Sequence, residues 1–586
     1  MRDRGSVLAA TRLRYLAILV LASIYLSGMG SAMVFDTDFG NLDVETVSIP
    51  DRDHQLSGVL YRPIDASQEN PLPAVVLVHG ISGSKQMVSG IALELGRHGF
   101  VALAVDLVGH GNSEGAFRDS SVDPTLGTLA SVQYLESQPY TKASIGLVGH
   151  SLGAGAIRAT AAAHGNIAAS VFIGGGFGSM VADPVYGTLN STHPRNLLVV
   201  IGRYDVLFDM GQLGKELSDA FGTQEITSGR LYGNFSTQTA GKLITPATTH
   251  LFEPFDPSVV SEIVLWMTNA LESGSSGQDI LSRGQSTYLY REVAISASLS
   301  AFVCLVFPIS LIVFDSFPSA VDQRTKKKTK YGTLEDWKSL TIWGLLGLIL
   351  FVPMFFLGFL IPFPPLIFGS SFAWWLPSVA TSGLLVILFL LPKYSAIRLD
   401  PRSLISESFN RSGAAIAVVL FTMFYTIEHL TETIFLTDLR FLVIPIFNDL
   451  KPTARILTFL TFVPFFLTYF FVEGLYLHEL RKLSNRGRRS RLELSAMGKA
   501  TTMKASPYVA VLCVNYIPML LLEFRIFPVS VGFLMEFLWG VIALFIISTA
   551  CSWWFYRCTS AVGTGAIFSA LLFAWSAASI FPFGGF

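Results

Sequence analysis

Two hydrophobic patterns divide this chain. Up to about residue 288 the apolar residues come in short runs, set between stretches with Gly, Asp, Ser and Thr. From about 290 onward, apolar runs recur that are long enough for an α-helix to cross a hydrocarbon layer roughly 30 Å thick. They fall near 291–314, 339–361, 367–391, 413–436, 454–477, 507–527, 530–556 and 560–582, which predicts eight helices. A further apolar stretch, Tyr15 to about Phe35, follows Arg2, Arg4, Arg12 and Arg14. It reads as a signal peptide or as an uncleaved signal anchor. Gly30-Ser31-Ala32 is small enough for cleavage, whereas the length of the stretch favours an anchor.

The short runs of the first half are Ala74–Val78, Val101–Val105, Ile145–Val148, Ser170–Ile173 and Leu197–Ile201. Short buried β-runs separated by helical stretches predict an α/β fold with a mostly parallel sheet covered on both faces. Active sites on such sheets lie at the carboxyl ends of the strands. The expected organisation is a first transmembrane helix or signal segment over 1–35, an α/β domain over 36–285 and an all-α polytopic bundle over 286–586.

Composition agrees with this division. Of 586 residues, 51% are hydrophobic and 14% charged, against roughly 25% charged in soluble domains. The formal net charge of −1 gives no reason to expect nucleic acid as a partner. The four cysteines, Cys304, Cys513, Cys551 and Cys558, all lie in the apolar half, and no Cys/His spacing forms a zinc motif. Basic residues gather in the loops 315–338, 392–412 and 479–505, while 362–366 has none and 437–453 has only Arg440 and Lys451. That alternation predicts a cytoplasmic N-terminus and an extracytoplasmic α/β domain. The sequons at Asn190 and Asn234 agree with an exported surface. Phe441–Phe447, short and interrupted by proline, is expected in the interface or against the outer domain.

The candidate chemistry begins at Gly149-His150-Ser151-Leu152-Gly153, directly after an apolar run. Small residues two before and two after a serine let strand and helix close on a tight, strained turn that presents the hydroxyl. His79-Gly80-Ile81-Ser82-Gly83 and Asp106-Leu107-Val108-Gly109-His110-Gly111-Asn112-Ser113 end two earlier strands. In this order and spacing the three motifs resemble the α/β-hydrolase fold family over about 35–275.

The resemblance implies a chain order of nucleophile, acid and base. Ser151 is then the nucleophile. His250 is the histidine that lies beyond the best acid position, just ahead of a helix near 257–271. Asp205, at the exit of the Leu197–Ile201 strand, is the expected acid, with Asp209 second and Asp183 and Asp219 poorer. The backbone N–H groups of Ile81 and Leu152 are the expected oxyanion donors. Gly80, Gly149 and Gly153 support the turns. His79, His110 and His150 read as packing residues, and Asp106 and Glu114 as structural ones. No cofactor and no metal is expected.

Members of this family often carry a lid before the acid strand, but only about Phe177–Arg195 fills that interval here. The missing wall is expected from the helical half or the bilayer surface, which makes a lipid-like or acyl ester the favoured substrate. Small soluble esters, a peptidase activity, or a non-catalytic ligand-binding domain on a transporter-like protein are the alternatives. Charged residues in apolar helices are expensive and call for an explanation. Glu428, His429 and Glu432, together with Glu523, Arg525 and Glu536, are expected near outer helix ends as one polar cluster beneath the α/β domain. Glu473, His478 and Glu479 are expected at the opposite interface.

Overall fold

The computed structural model describes residues 4–117, 122–178, 184–271, 286–317, 336–390, 408–441, 444–479, 491–522 and 524–585. Nine strands form one sheet: β1 (Leu42–Asp51), β2 (His54–Pro63), β3 (Leu72–Val78), β4 (Val101–Val105), β5 (Thr141–His150), β6 (Ile167–Ile173), β7 (Leu197–Val200), β8 (Leu231–Tyr232) and β9 (Gly241–Ile244). Their spatial order is β1-β2-β4-β3-β5-β6-β7-β9-β8. The central pairs from β4 to β9 are parallel. Antiparallel partners close both edges, β1 and β2 on one side and β8 on the other. All five strands expected from the apolar runs are present.

Side chains of a strand alternate between faces, and here both faces are apolar. Val76, Val78, Leu103 and Leu147 pack with Ile157, Leu135 and Leu217 of the helices Leu152–Ala163, Thr128–Glu136 and Met210–Phe221. Val75, Leu77, Ala102 and Val148 face the other way, onto Ile91, Ile263 and Met267 of the helices Ser89–Arg97 and Pro257–Leu271. This explains why the central strands read as unbroken apolar runs rather than alternating ones.

Beyond the sheet the chain is helical. Among the described residues nine helices are long and apolar enough to cross a membrane. The N-terminal helix Arg4–Asp36 lies along Thr287–Ser316, and Gly28 comes so close to Ser298 that any side chain there would collide with its hydroxyl. The stretch expected at 507–527 instead forms Arg491–Leu522, and the one at 530–556 is broken at Phe537 into Val529–Glu536 and Leu538–Thr559. The basic loops around 318–335, 391–407 and 480–490 lie outside the described residues. Lys504, expected in the last of these loops, is buried within Arg491–Leu522 against Glu473. Glu473 is therefore buried among the helices, where Trp343 and Tyr469 also donate to it.

Phe441–Phe447 lies beside the sheet domain at one end, where the adjacent Arg440 lines a small pocket with Val59 and Tyr61. Leu439–Phe441 and Ile444–Phe447 make a small hairpin whose Phe447 ring stacks on Trp575, 4.5 Å between centroids, inside the bundle. The apolar core of the bundle continues into the loops at the carboxyl end of the sheet, where Met87 and Val206 are buried in it and Tyr204 and Leu251 pack against it. The two halves are thus joined on the face where a parallel sheet presents its chemistry.

Candidate active site

Ser151 stands between β5 and the helix Leu152–Ala163 with φ +52° and ψ −113°. That left-handed backbone costs about 1–3 kcal/mol for a residue with a side chain, and its neighbours hold it in place. Ser151 N–H donates to the Ile173 carbonyl at 2.7 Å. A Cβ at Gly149 would strike the backbone of Gly153, and one at Gly153 would sit 2.6 Å from the His79 carbonyl oxygen. The turn closes only with glycine at both positions.

Three side chains far apart in the chain meet here. Ser151 Oγ lies 3.0 Å from His250 Nε2. On the other side of the ring, Nδ1–H donates to Asp205 Oδ2 at 2.8 Å. Asp205 is fixed in turn by the Leu207 N–H, 2.7 Å from its Oδ1. Burial works against the charged imidazole, but the charge of Asp205 and its hydrogen bond outweigh it, and the net effect raises His250 above the ordinary 6.5. The arrangement is a hydroxyl, an imidazole and a carboxylate in series, with the imidazole free to accept a proton from the hydroxyl.

The amides of Ile81 and Leu152 have no protein acceptor among the described residues. His79 anchors the first of these loops: its Nδ1–H donates to the Gly80 carbonyl at 2.7 Å and its Nε2 accepts from Leu107 N–H at 3.1 Å. Asp106, fully buried, accepts from the Lys85 backbone N–H and from Lys85 Nζ, both at 2.6 Å, and from Asn112 N–H. Glu114 accepts from Gln55 N–H, and His110 lies 3.1 Å from the Val108 carbonyl, so these residues brace loops as expected. His150 does more than pack. Its Nε2–H donates to the His250 carbonyl at 3.0 Å and so holds the backbone of the imidazole residue. Burial, with the nearby His250, keeps His150 far below 6.5 and hence neutral.

One residue of this assembly escaped the sequence reading. Glu253 is fully buried, takes the Gly202 N–H, and lies 3.8 Å from His150 Nε2. Burial, followed by the neighbouring Asp205 charge, pushes it well above 4.5. His150, His250 and Glu253 are also the one group of three close enough to converge on a cation among the described residues. Both nitrogens of His250 are already engaged by Ser151 and Asp205, so the set is better matched to proton transfer than to metal ligation.

A pocket opens over Ser151 and His250. Its far walls come from the helical half: Phe372, Phe466, Phe533, Phe537, Leu544 and Phe573. None of the described residues of the interval Phe177–Arg195 lines this pocket. Arg158 pins the interval by donating to the carbonyls of Gly176, Tyr186 and Gly187.

The single polar cluster expected from the charged helix residues does not form. Glu428 has Glu432, Asp449, Asp438 and Lys451 as charged neighbours, whereas Glu536 has His250 and Asp205. Their helices explain the split. Arg411–Phe435 packs on Val562–Ile580 and the N-terminal helix, while Val529–Glu536 packs on Arg491–Leu522 and Leu538–Thr559. His429 pairs with Asp449 at 2.8 Å, and Glu432 accepts from Asn112 at 3.1 Å and from Asp449 N–H, so this group ties the bundle to a sheet loop. Arg525 is a charged neighbour of Asp209, and Glu523 lies outside the described residues. Asp209 itself caps the helix Met210–Phe221, which removes it as an alternative partner for His250.

Solved structures similar to this chain include an esterase from Pyrococcus furiosus, 18% identical with a TM-score of 0.31, covering 40% of this chain and 94% of that one. A dienelactone hydrolase from Anabaena variabilis is 19% identical with a TM-score of 0.28, covering 40% and 98%. Est1E from Butyrivibrio proteoclasticus, solved with bound ferulic acid, is 17% identical with a TM-score of 0.31, covering 39% and 99%. No curated protein matches the chain. Residues 75–294 match the model of the alpha/beta hydrolase family, and this part of the chain has the α/β-hydrolase fold.

Proposed function

We propose that the protein is a membrane-integral serine hydrolase that cleaves carboxylic esters with an apolar acyl part. The observation that carries this reading is the series Ser151 Oγ, His250 and Asp205, linked at 3.0 and 2.8 Å, at the floor of a phenylalanine-walled pocket. His250 Nε2 takes the Ser151 proton as Oγ attacks the carbonyl carbon. The oxyanion gathers the N–H groups of Ile81 and Leu152, each donor contributing about 3–4 kcal/mol in comparable sites. As the carbon–oxygen bond breaks, His250 returns the proton to the leaving alkoxide, and the alcohol departs. Water then attacks the Ser151 acyl ester by the same route, releasing the acid and restoring the hydroxyl. His150 and Glu253 position the imidazole and carboxylate, and no cofactor enters any step.

The membrane reading rests on the nine apolar helices and on the alternation of basic loops. It puts the N-terminus in the cytoplasm, the hydrolase domain outside and the bilayer around the bundle. The aromatic wall favours an acyl ester over a peptide, because an extended peptide backbone finds few hydrogen-bonding partners there. A fluorophosphonate probe on the purified full-length protein tests the reading. Labelling of wild type and not of Ser151→Ala is the expected result, with turnover of acyl esters exceeding that of peptides. Folded wild-type protein that takes no label would overturn it.

A further inference from the structure

Glu536 does not belong with the other charged residues of the helices. It lines the pocket over Ser151 and His250 and is the one carboxyl among the described residues that do so. The residue is only 9% exposed. Tyr516 donates its hydroxyl to Oε1, which fixes the side chain, while Oε2 is buried and has no hydrogen-bond partner. A buried acceptor left unpaired is costly, and sites that keep one gain when a ligand satisfies it. Apart from the hydroxyls of Ser82, Ser151 and Ser576 and the rings of His150 and His250, the rest of the lining is aromatic, aliphatic or glycine, so a purely apolar substrate leaves this carboxylate oxygen as it is.

Position decides which part of the substrate it meets. Glu536 is within electrostatic reach of His250 and Asp205. His250 is the group that hands a proton to the departing oxygen, so the alcohol half of an ester lies on that side. The carbonyl oxygen turns the other way, toward the amides of Ile81 and Leu152. Resting on the ester-hydrolase reading above, we propose that Glu536 is a substrate-selecting residue: its free oxygen accepts a hydrogen bond from a donor on the alcohol half, and the enzyme's substrates are acyl esters of polyols or of amino alcohols. The donor is a hydroxyl in the first case and a protonated amine in the second.

Three decanoate esters of near-equal size test this on the full-length protein in detergent: butyl, 3-hydroxypropyl and 3-(dimethylamino)propyl. In wild type, at least one donor-bearing ester is expected to exceed the butyl ester about ten-fold or more in kcat/KM, chiefly through KM. In Glu536→Leu that ratio is expected to fall to about one, with fluorophosphonate labelling reporting that the variant is folded. Glu536→Gln separates the sources, since its amide oxygen still accepts from a hydroxyl but has no charge for an ammonium. A wild-type ratio near one for both donor esters would overturn the proposal without any variant. So would a ratio that survives in Glu536→Leu. Failure of wild type to label or to hydrolyse any of the three would instead defeat the ester-hydrolase reading itself.

Discussion

The hydrolase domain and the helical bundle hold their polar groups by different means. Around Ser151 the partners are mostly backbone: Asp205 takes the Leu207 N–H, Glu253 the Gly202 N–H, Asp106 those of Lys85 and Asn112, and His150 gives to the His250 carbonyl. In the bundle, several buried charges are instead held by other charged side chains. Arg291 bridges Asp36 and Glu292, Arg440 bridges Glu292 and Asp438, and Lys504 meets Glu473. A backbone partner is fixed by the fold and sets a side chain to a fraction of an ångström, which bond-making needs. A side-chain partner mainly satisfies charge and joins helices. On the proposed function, this division puts rate with the sheet and substrate choice with the bundle.

The sharpest way to break that division is Ser151→Ala. Loss of the hydroxyl is expected to abolish fluorophosphonate labelling and to lower ester turnover by about 10⁶-fold, with the melting temperature unchanged. Turnover that persists would mean that the chemistry lies elsewhere. Next in size is Asp205→Asn, for which a fall in kcat of about 10⁴-fold is expected, as for the equivalent loss in well-characterised serine hydrolases. Its pH profile carries a second sign. His250 must be neutral to take a proton, and Asp205 raises it above 6.5 against the pull of burial. The acid limb of kcat/KM is therefore expected above pH 6.5 in wild type. Without the Asp205 charge and hydrogen bond, burial, the largest influence, is opposed only by the weaker effect of Glu536, and the limb is expected to move below that value. A limb that stays in place would remove Asp205 from the reaction.

Arg455→Met is expected to act on stability rather than on chemistry. The guanidinium is buried and donates to the carbonyls of Gly109, Ala578 and Phe581, and so links a loop of the sheet to the last helix. Leaving these carbonyls unpaired is expected to cost about 3 kcal/mol, measured as a lower unfolding temperature in detergent. An unchanged unfolding temperature would mean that the two halves are not coupled there.

The parts of this arrangement that sequence makes legible are those set by short-range constraint. Gly149 and Gly153 flank Ser151 because the turn admits no side chain at either position, so the elbow is written in five consecutive residues. Asp205 and His250 could be placed because the family resemblance supplies the order of nucleophile, acid and base, and one follows an apolar strand while the other precedes a helix. The antiparallel strands β1 and β2 are mixed in polarity and give no comparable signal. Glu253 follows His250 by three positions, but only its burial against Asp205 sets it apart from any other turn carboxylate. Glu536 was visible as a charge in an apolar helix, yet its place above His250 depends on how distant helices pack. The same dependence explains why Glu428 and Glu536, alike in sequence context, end in separate environments.

The smallest expected effect tests the bundle's share most directly. Ala577, on the helix Val562–Ile580, lines the pocket among the aromatic rings and lies far in sequence from the motifs of the hydrolase domain. Ala577→Leu puts three further carbon atoms into that space without touching the Ser151–His250–Asp205 series. If the acyl chain occupies the wall, the new side chain displaces part of it. Loss of two buried methylenes at about 0.8 kcal/mol each lowers the preference for decanoate over butyrate p-nitrophenyl ester roughly ten-fold. The butyrate, too short to reach the filled region, serves as the internal reference for the chemistry. An unchanged decanoate-to-butyrate ratio in kcat/KM would show that the acyl part lies outside the bundle, and selection by chain length would then belong to the hydrolase domain as well.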